Sequence, residues 1–286
     1  MTDVERREAL EAIADEVRTC TNCRLHQTRN RAVPGEGDPD TEVIFVGEGP
    51  GFNEDKQGRP FVGRAGDLLV KLLATIGWHR EDVFITNVVK CRPPDNRDPF
   101  PDEIAACAPF LRRQLEVLDP AVVVTLGRFS MATFMPGARI SQAHGTVRSV
   151  DPATGAAAAT VFAMYHPAAA LRTPAIERES YADIAGVPMA LLDSRRRREE
   201  ATAAATLGAA QVATAAAVAD VASTESVPAP VDPALVDPEP TQPIDAARPE
   251  LVEPDDDAAE DDLAVVVTSA VPIGADDPAE PQLTLF

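Results

Sequence analysis

Four cysteines are the first chemistry this chain offers. Cys20 and Cys23 form a C-x2-C pair in "CTNC", with Cys91 and Cys107 at wider spacing. Two neighbouring thiolates and two more to close the shell make a four-thiolate site, which suits zinc or an iron–sulfur cluster. Spacing alone does not choose between them. The other reactive side chains are polar groups set among apolar ones. The stretch "GEGPGFNEDKQGRPFVG", residues 47–63, packs five glycines and the carboxylates Glu48, Glu54 and Asp55 behind the run "TEVIFV". Asn87 interrupts "DVFITNVV", and His166 ends "TVFAMYHP". A polar group is costly to bury, so its presence there points to use.

The elements that must position these groups are readable. Four short, continuously apolar, β-branched runs occur at 42–47, 82–89, 121–127 and 160–167. That is the pattern of strands covered on both faces, as in a parallel sheet. Helical patterns alternate with them: "AGDLLVKLLATIGW", "PDEIAACAPFLRRQLEVL" with its opening Pro and acids, "GRFSMATFM", and a closing "RESYADIAGVPMALLDSRRRR". The alternation predicts an α/β fold, a three-layer αβα sandwich around a mainly parallel four-stranded sheet. Ligands of such sheets bind beyond the carboxyl ends of the strands. Those ends carry "GEGPG", "NVVKCRPPDNR", "LGRFS" and "YHPAAALR".

Charge divides the chain. The net charge is −20, yet from Glu199 onward there are nineteen Asp and Glu against one basic residue, Arg248. Residues 1–198 hold 25 basic and 27 acidic residues, so the folded part is nearly neutral and nucleic-acid binding is not excluded. The expected organisation is a domain over 1–198 and an acidic Ala/Pro-rich tail over 199–281, followed by the tip 282–286. The tail lacks the apolar surface to offset the ordering of its backbone, so disorder is expected, with partial helix in its Ala-rich beginning. No apolar run spans a bilayer, and the polar amphipathic start is no signal peptide. A cytosolic monomer with reduced thiols follows as the expectation.

Taken together, the Cys pair, "GEGPGFNEDKQGRPFVGRAG", "ITNVVKCRPPDNR" and "YHPAAALR" resemble the family 4 uracil-DNA glycosylases, the iron–sulfur type of bacteria and archaea. The resemblance runs from about residue 10 to 190. It implies a uracil-DNA glycosylase-like fold, uracil-containing DNA as partner, and removal of uracil by hydrolysis of its N-glycosidic bond in the bacterial cytosol. It also implies a 4Fe-4S cluster on Cys20, Cys23, Cys91 and Cys107. The uracil pocket would comprise Gly47, Glu48, Gly49, Phe61, Asn87 and His166. In it Phe61 would stack on the base, Asn87 read its edge, His166 donate to the uracil oxygen, and Glu48 handle water or the sugar cation. Arg92, Arg97 and Arg172 are the expected phosphate contacts. One position departs: other uracil glycosylases place Asp where Gly49 stands, leaving Glu54 and Asp55 as further candidates for the water. A related iron–sulfur group is trapped covalently on uracil DNA through a His after a basic insertion. The corresponding "FMPGARISQAHGTV" has His144 but no basic run. The alternative function is therefore capture of uracil DNA without turnover.

The last five residues, "QLTLF", resemble the bacterial sliding-clamp-binding pentapeptide, with Gln282, Leu283, Leu285 and Phe286 as anchors. A tethered motif of this kind would raise the local concentration of the enzyme at the clamp.

Overall fold

A computed structural model describes residues 1–156 and 158–222. Helix α1 (Asp3–Thr19) starts at a reciprocal capping box. The Glu5 N–H donates to Thr2 Oγ1, and the Thr2 N–H donates to Glu5 Oε2 at 2.7 Å. There follow β1 (Glu36–Gly37), β2 (Val43–Gly47), α2 (Phe52–Gln57), α3 (Arg64–Thr75), β3 (Phe84–Asn87), α4 (Pro101–Leu118) and β4 (Val122–Leu126). The chain continues with α5 (Arg128–Phe134), α6 (Ile140–Ala143), β5 (Val147–Ser149), β6 (Thr160–Met164), α7 (Pro167–Ala170), α8 (Pro174–Ile184) and α9 (Val187–Ala222).

The strands form one sheet in the order β1-β3-β2-β4-β6-β5. The central four are parallel: Gly47 pairs with Asn87, Val46 with Thr125, and Leu126 with Met164. Every residue of β2, β3, β4 and β6 is buried, as the unbroken apolar runs require. Alternate residues feed opposite cores. Ile44, Val46, Val123, Val161 and Ala163 join Val17 of α1 and Leu111 and Leu115 of α4 on one face. Val43, Phe45, Val122, Val124, Phe162 and Met164 join Leu69 and Leu73 of α3 and Val187 and Leu191 of α9 on the other. The three-layer α/β expectation holds.

The sheet has six strands, not four. The two additional ones, β1 and β5, are short antiparallel edges. β5 is exposed throughout and β1 largely so, which is why no apolar run announces either. The single closing helix is in fact two, α8 and α9, separated at Ala185–Gly186. A Cβ on Gly186 would stand 3.1 Å from the Phe162 ring, so the break lets the chain pass close to the sheet. Helix α9 runs on through Ala222, past residue 198 and over the Ala-rich start of the acidic tail. Residues 223–281 and the tip 282–286 lie outside the described residues.

The amino edge of the sheet is tightly fastened to α9. Arg195 pairs with Glu42 before β2, and Arg198 with Asp119 before β4. Arg197 donates to Thr160 at 2.5 Å, and Ser194 donates to the Ala121 carbonyl at 2.7 Å. The run "RRRR" therefore pins a helix to the sheet and forms no anion-binding patch.

Candidate active site

The opposite, carboxyl edge opens into a cavity of about 640 Å3. Its lining comes from all four parallel strands: Glu48 and Gly49 beyond β2, Asn87 at the end of β3, Gly127 and Arg128 beyond β4, and His166 beyond β6. The ladder continues into this edge, with Val88 N–H donating to the Gly47 carbonyl and Val89 N–H to that of Glu48.

Asn87 is 1% exposed, and its side-chain Oδ1 has no hydrogen-bond partner among the described residues. An acceptor buried without a donor costs about 1–3 kcal/mol, so this one awaits a ligand. Gly47 makes room for it. A Cβ there would fall 2.4 Å from Asn87 Oδ1 and 2.6 Å from Phe61 Cζ. Phe61 is buried, with φ +51°, and its ring stacks 5.6 Å from that of His166 at 30°. This strained backbone is held from two sides. Glu54 accepts from the N–H groups of Gly51, Val62 and Gly63, and Arg80 donates to the Phe61 and Pro60 carbonyls.

His166 caps α7, and its Nδ1 accepts the Ala168 N–H at 3.1 Å. With Nδ1 an acceptor, the ring proton sits on Nε2. Burial first, and the Arg172 guanidinium second, pull its pKa down to about 4, so the ring is neutral at physiological pH. The Glu48 carboxylate accepts no hydrogen bond from any described residue. Burial, then the nearby Asp98 carboxylate, push its pKa up to about 6, with Arg128 opposing.

The remaining carboxylates divide from Glu48 by their partners. Glu54 is committed to three backbone amides. Asp55 is fully buried and accepts from the Asn30 main chain and side-chain amide and from the Arg31 N–H. Both are scaffold. A Cβ on Gly49 would lie 2.7 Å from Val89 Cγ2, so the fold leaves no easy room for a side chain there. Among the arginines, Arg172 lines the cavity without an ion pair among the described residues. Arg92 lies 5.3 Å from the Phe52 ring and donates to Asn96. Arg97 also lines the cavity, yet it forks onto both oxygens of fully buried Glu103, at 2.7 and 2.9 Å. That leaves its guanidinium committed to the fold. His144 is not among the lining residues. Its Nδ1 meets Asp183 at 3.0 Å and its ring packs on Tyr165.

Sequence reasoning missed Arg128, Asp98 and Tyr165, which complete the wall, and Phe52 at 48% exposure beside Gly51. Arg128 and Asp98 form an ion pair joining the segment after β3 to the start of α5. Arg128 was signalled only by its position just beyond β4, and Asp98, eleven residues past β3, by nothing in the sequence.

A second, small cavity is lined by all four cysteines. Three of the sulfurs accept hydrogen bonds: Cys91 from Arg29 Nη1 at 3.0 Å, Cys107 from the Lys90 N–H at 3.2 Å, and Cys20 from the Asn22 N–H at 3.5 Å. Burial pushes the Cys107 thiol up to about 11 and raises Cys91. Among the described residues, no three His, Cys, Asp or Glu side chains stand close enough to hold a single metal ion.

The family model for the uracil DNA glycosylase superfamily matches residues 34–185, spanning all four parallel strands and the residues that line the cavity. The chain belongs to that superfamily. Relatives named type-4 uracil-DNA glycosylase agree. That of Sulfurisphaera tokodaii is 48% identical over 180 residues, covering 60% of this chain and 80% of the relative. Those of Archaeoglobus fulgidus and Thermotoga maritima are 46% and 48% identical, covering 62% and 58% of this chain and 90% and 85% of theirs. A type-5 uracil-DNA glycosylase of Pyrobaculum aerophilum is 34% identical over 155 residues, 48% of this chain and 66% of the relative. The matched span of the superfamily includes Glu48, Phe61, Asn87 and His166.

Proposed function

We infer that the protein is a monofunctional uracil-DNA glycosylase, which hydrolyses the N-glycosidic bond of uracil in DNA and so begins base excision repair. The observation that carries this reading is the buried, unpartnered Asn87 Oδ1 on a cavity floor cleared by Gly47. A base turned out of the helix enters the cavity and is read on its Watson–Crick edge. Asn87 Oδ1 accepts from uracil N3–H, and its amide donates to O4. Cytosine reverses that pattern and is refused. Phe61 supplies the apolar face for the base.

As the C1′–N1 bond breaks, its electron pair leaves on the uracil ring. His166 donates its Nε2–H to the oxygen that takes up the charge, as a neutral donor that need not surrender its proton. Glu48, ionised above a pH of about 6, stabilises the cation-like sugar and takes a proton from the water that adds to C1′. The uracil anion then takes up a proton from solvent as Glu48 gives its own back, and the products are free uracil and an abasic site. Arg172 and Arg92 are the phosphate contacts; Arg97 supports the wall instead. Leu171, exposed next to Arg172, adds an apolar contact at the rim.

Cys20, Cys23, Cys91 and Cys107 would hold a 4Fe-4S cluster. Four thiols around one cavity, the C-x2-C pair among them, fit the four-thiolate ligand set of such a cluster. The N–H donors aimed at three sulfurs suit its thiolates. Held by these four residues, the group would tie the segment after α1 to α4 and to the chain leaving β3.

The deciding experiment incubates a labelled uracil oligonucleotide with the protein and runs denaturing gels with and without alkali. Strand cleavage only after alkali, over many turnovers, is expected. A band that survives denaturation would replace turnover with capture, and no change would sink the reading. Gln282, Leu283, Leu285 and Phe286 are proposed to dock on a sliding clamp. Deleting 282–286 should abolish clamp pull-down and leave oligonucleotide excision unchanged; pull-down that persists overturns this part.

A further inference from the structure

Lys90 is the most deeply buried cation of the described residues, 1% exposed, and it pairs with no carboxylate among them. Burying a charge without a partner of opposite sign is expensive, and an apolar residue would fill the same space at less cost. Burial pulls its pKa down to about 7, and charged or neutral the amine has N–H groups to donate; three oxygen acceptors surround it. Lys90 Nζ donates to Thr86 Oγ1 at 2.6 Å, to Gln114 Oε1 at 2.6 Å and to the main-chain carbonyl of Asn87 at 2.9 Å. The two side-chain acceptors are themselves anchored. Thr86 Oγ1 and Gln114 Nε2 both donate to the Pro34 carbonyl, at 2.9 and 2.8 Å.

We propose that Lys90 is a positioning residue for base recognition: its Nζ holds the main chain of Asn87 from beneath, so that an unpartnered amide still points one way. An Asn whose Oδ1 has no protein donor cannot be aimed by its own hydrogen bond. Its direction therefore depends on the backbone that carries it, and Lys90 grips that backbone at the last residue of β3. The same residue reaches the thiol cavity. Its N–H donates to Cys107, its carbonyl accepts from Val33 N–H at 2.7 Å, and Cys91 follows it in the chain. One residue thus joins the rigid thiol site to the floor of the base pocket.

The inference rests on the reading of Asn87 as the uracil-binding amide. Its test uses the full chain and measures the inhibition constant of free uracil, the affinity for abasic-site DNA, and kcat. Lys90→Met keeps the length of the stem and removes the donors. It should raise the uracil inhibition constant about tenfold and lower kcat by a similar factor, with abasic-DNA affinity within twofold of the parent. A merely structural lysine would lower the melting temperature and the active fraction, and leave the inhibition constant of the surviving enzyme unchanged. Gln114→Met touches neither base nor thiols and removes one of the three acceptors; a rise of about threefold is expected. Should Lys90→Met fail to fold, an unchanged constant in Gln114→Met overturns the proposal. If the parent chain itself releases no uracil, the functional reading falls first and this inference falls with it.

Discussion

The two edges of one sheet treat their polar groups in opposite ways. At the amino edge, Arg195, Arg197, Arg198 and Ser194 each find a partner at a strand start, and the result is a fastened helix. At the carboxyl edge, Asn87 Oδ1 is orphaned among the described residues, and none of them donates to the half-buried Glu48 carboxylate. His166 spends one ring nitrogen on Ala168 and keeps the other proton free. Along these two edges, the groups with protein partners make a scaffold and the open ones line the cavity. The contrast repeats within six residues, since Glu54 is held by three amides and Glu48 by none.

The contrast breaks most sharply at Asn87. Asn87→Ala should lower kcat/KM for uracil DNA by roughly 10^3-fold with little loss of stability, because the amide contributes nothing to the empty fold. A loss of fold in place of activity would make Asn87 scaffold after all. Next comes Glu48→Gln, expected to cut kcat by about 10^2-fold while raising stability. Folding raises the Glu48 pKa from 4.5 to about 6, so the ionised group weakens the fold above pH about 6, and that loss fades as pH falls toward 4.5. Neutral Gln should recover about 1 kcal/mol at pH 7 once solvent screening is allowed for, a rise of a few degrees in melting temperature. By the same pKa, parental kcat/KM should fall about tenfold per pH unit below about 6; a flat profile down to pH 5 would remove Glu48 from the water.

Glu54 supplies the converse. Glu54→Ala orphans three amides and should cost about 2 kcal/mol in urea unfolding, with activity falling only because the Phe61 turn loosens. Smallest is Arg198→Ala at the fastened edge, which should cost under about 1 kcal/mol and leave excision unchanged. An effect on excision from that edge would mean the two ends of the sheet are coupled.

How much of this the sequence disclosed depends on burial. The four parallel strands were readable because both faces of each are covered, and continuous apolar runs record that directly. β1 and β5 have two and three residues on exposed edges and leave no such mark. Asn87 and His166 were legible as polar residues that interrupt or end apolar runs, and Gly47 through its motif. What could not be read was commitment. Glu48, Glu54 and Asp55 look alike in a string of letters, and only their partners separate a reactive carboxylate from two structural ones. Arg97 and Arg172 divide in the same way. Lys90 gave no signal, because a lysine beside a cysteine reads as surface until its three acceptors are seen.

The strand order also dictates when the pocket comes into being. β2 and β3 are neighbours, so Gly47, Phe61 and the amide lie on the half of the pocket that is made first along the chain, with Lys90 and Gln114 following to hold it. His166 arrives on β6, which can dock only after β4 has taken its place beside β2. Parallel pairings of this kind close long loops and form late. The pocket is thus completed from two ends of the chain in time as well as in space, and His166 is brought in by the last of the four parallel strands to leave the ribosome.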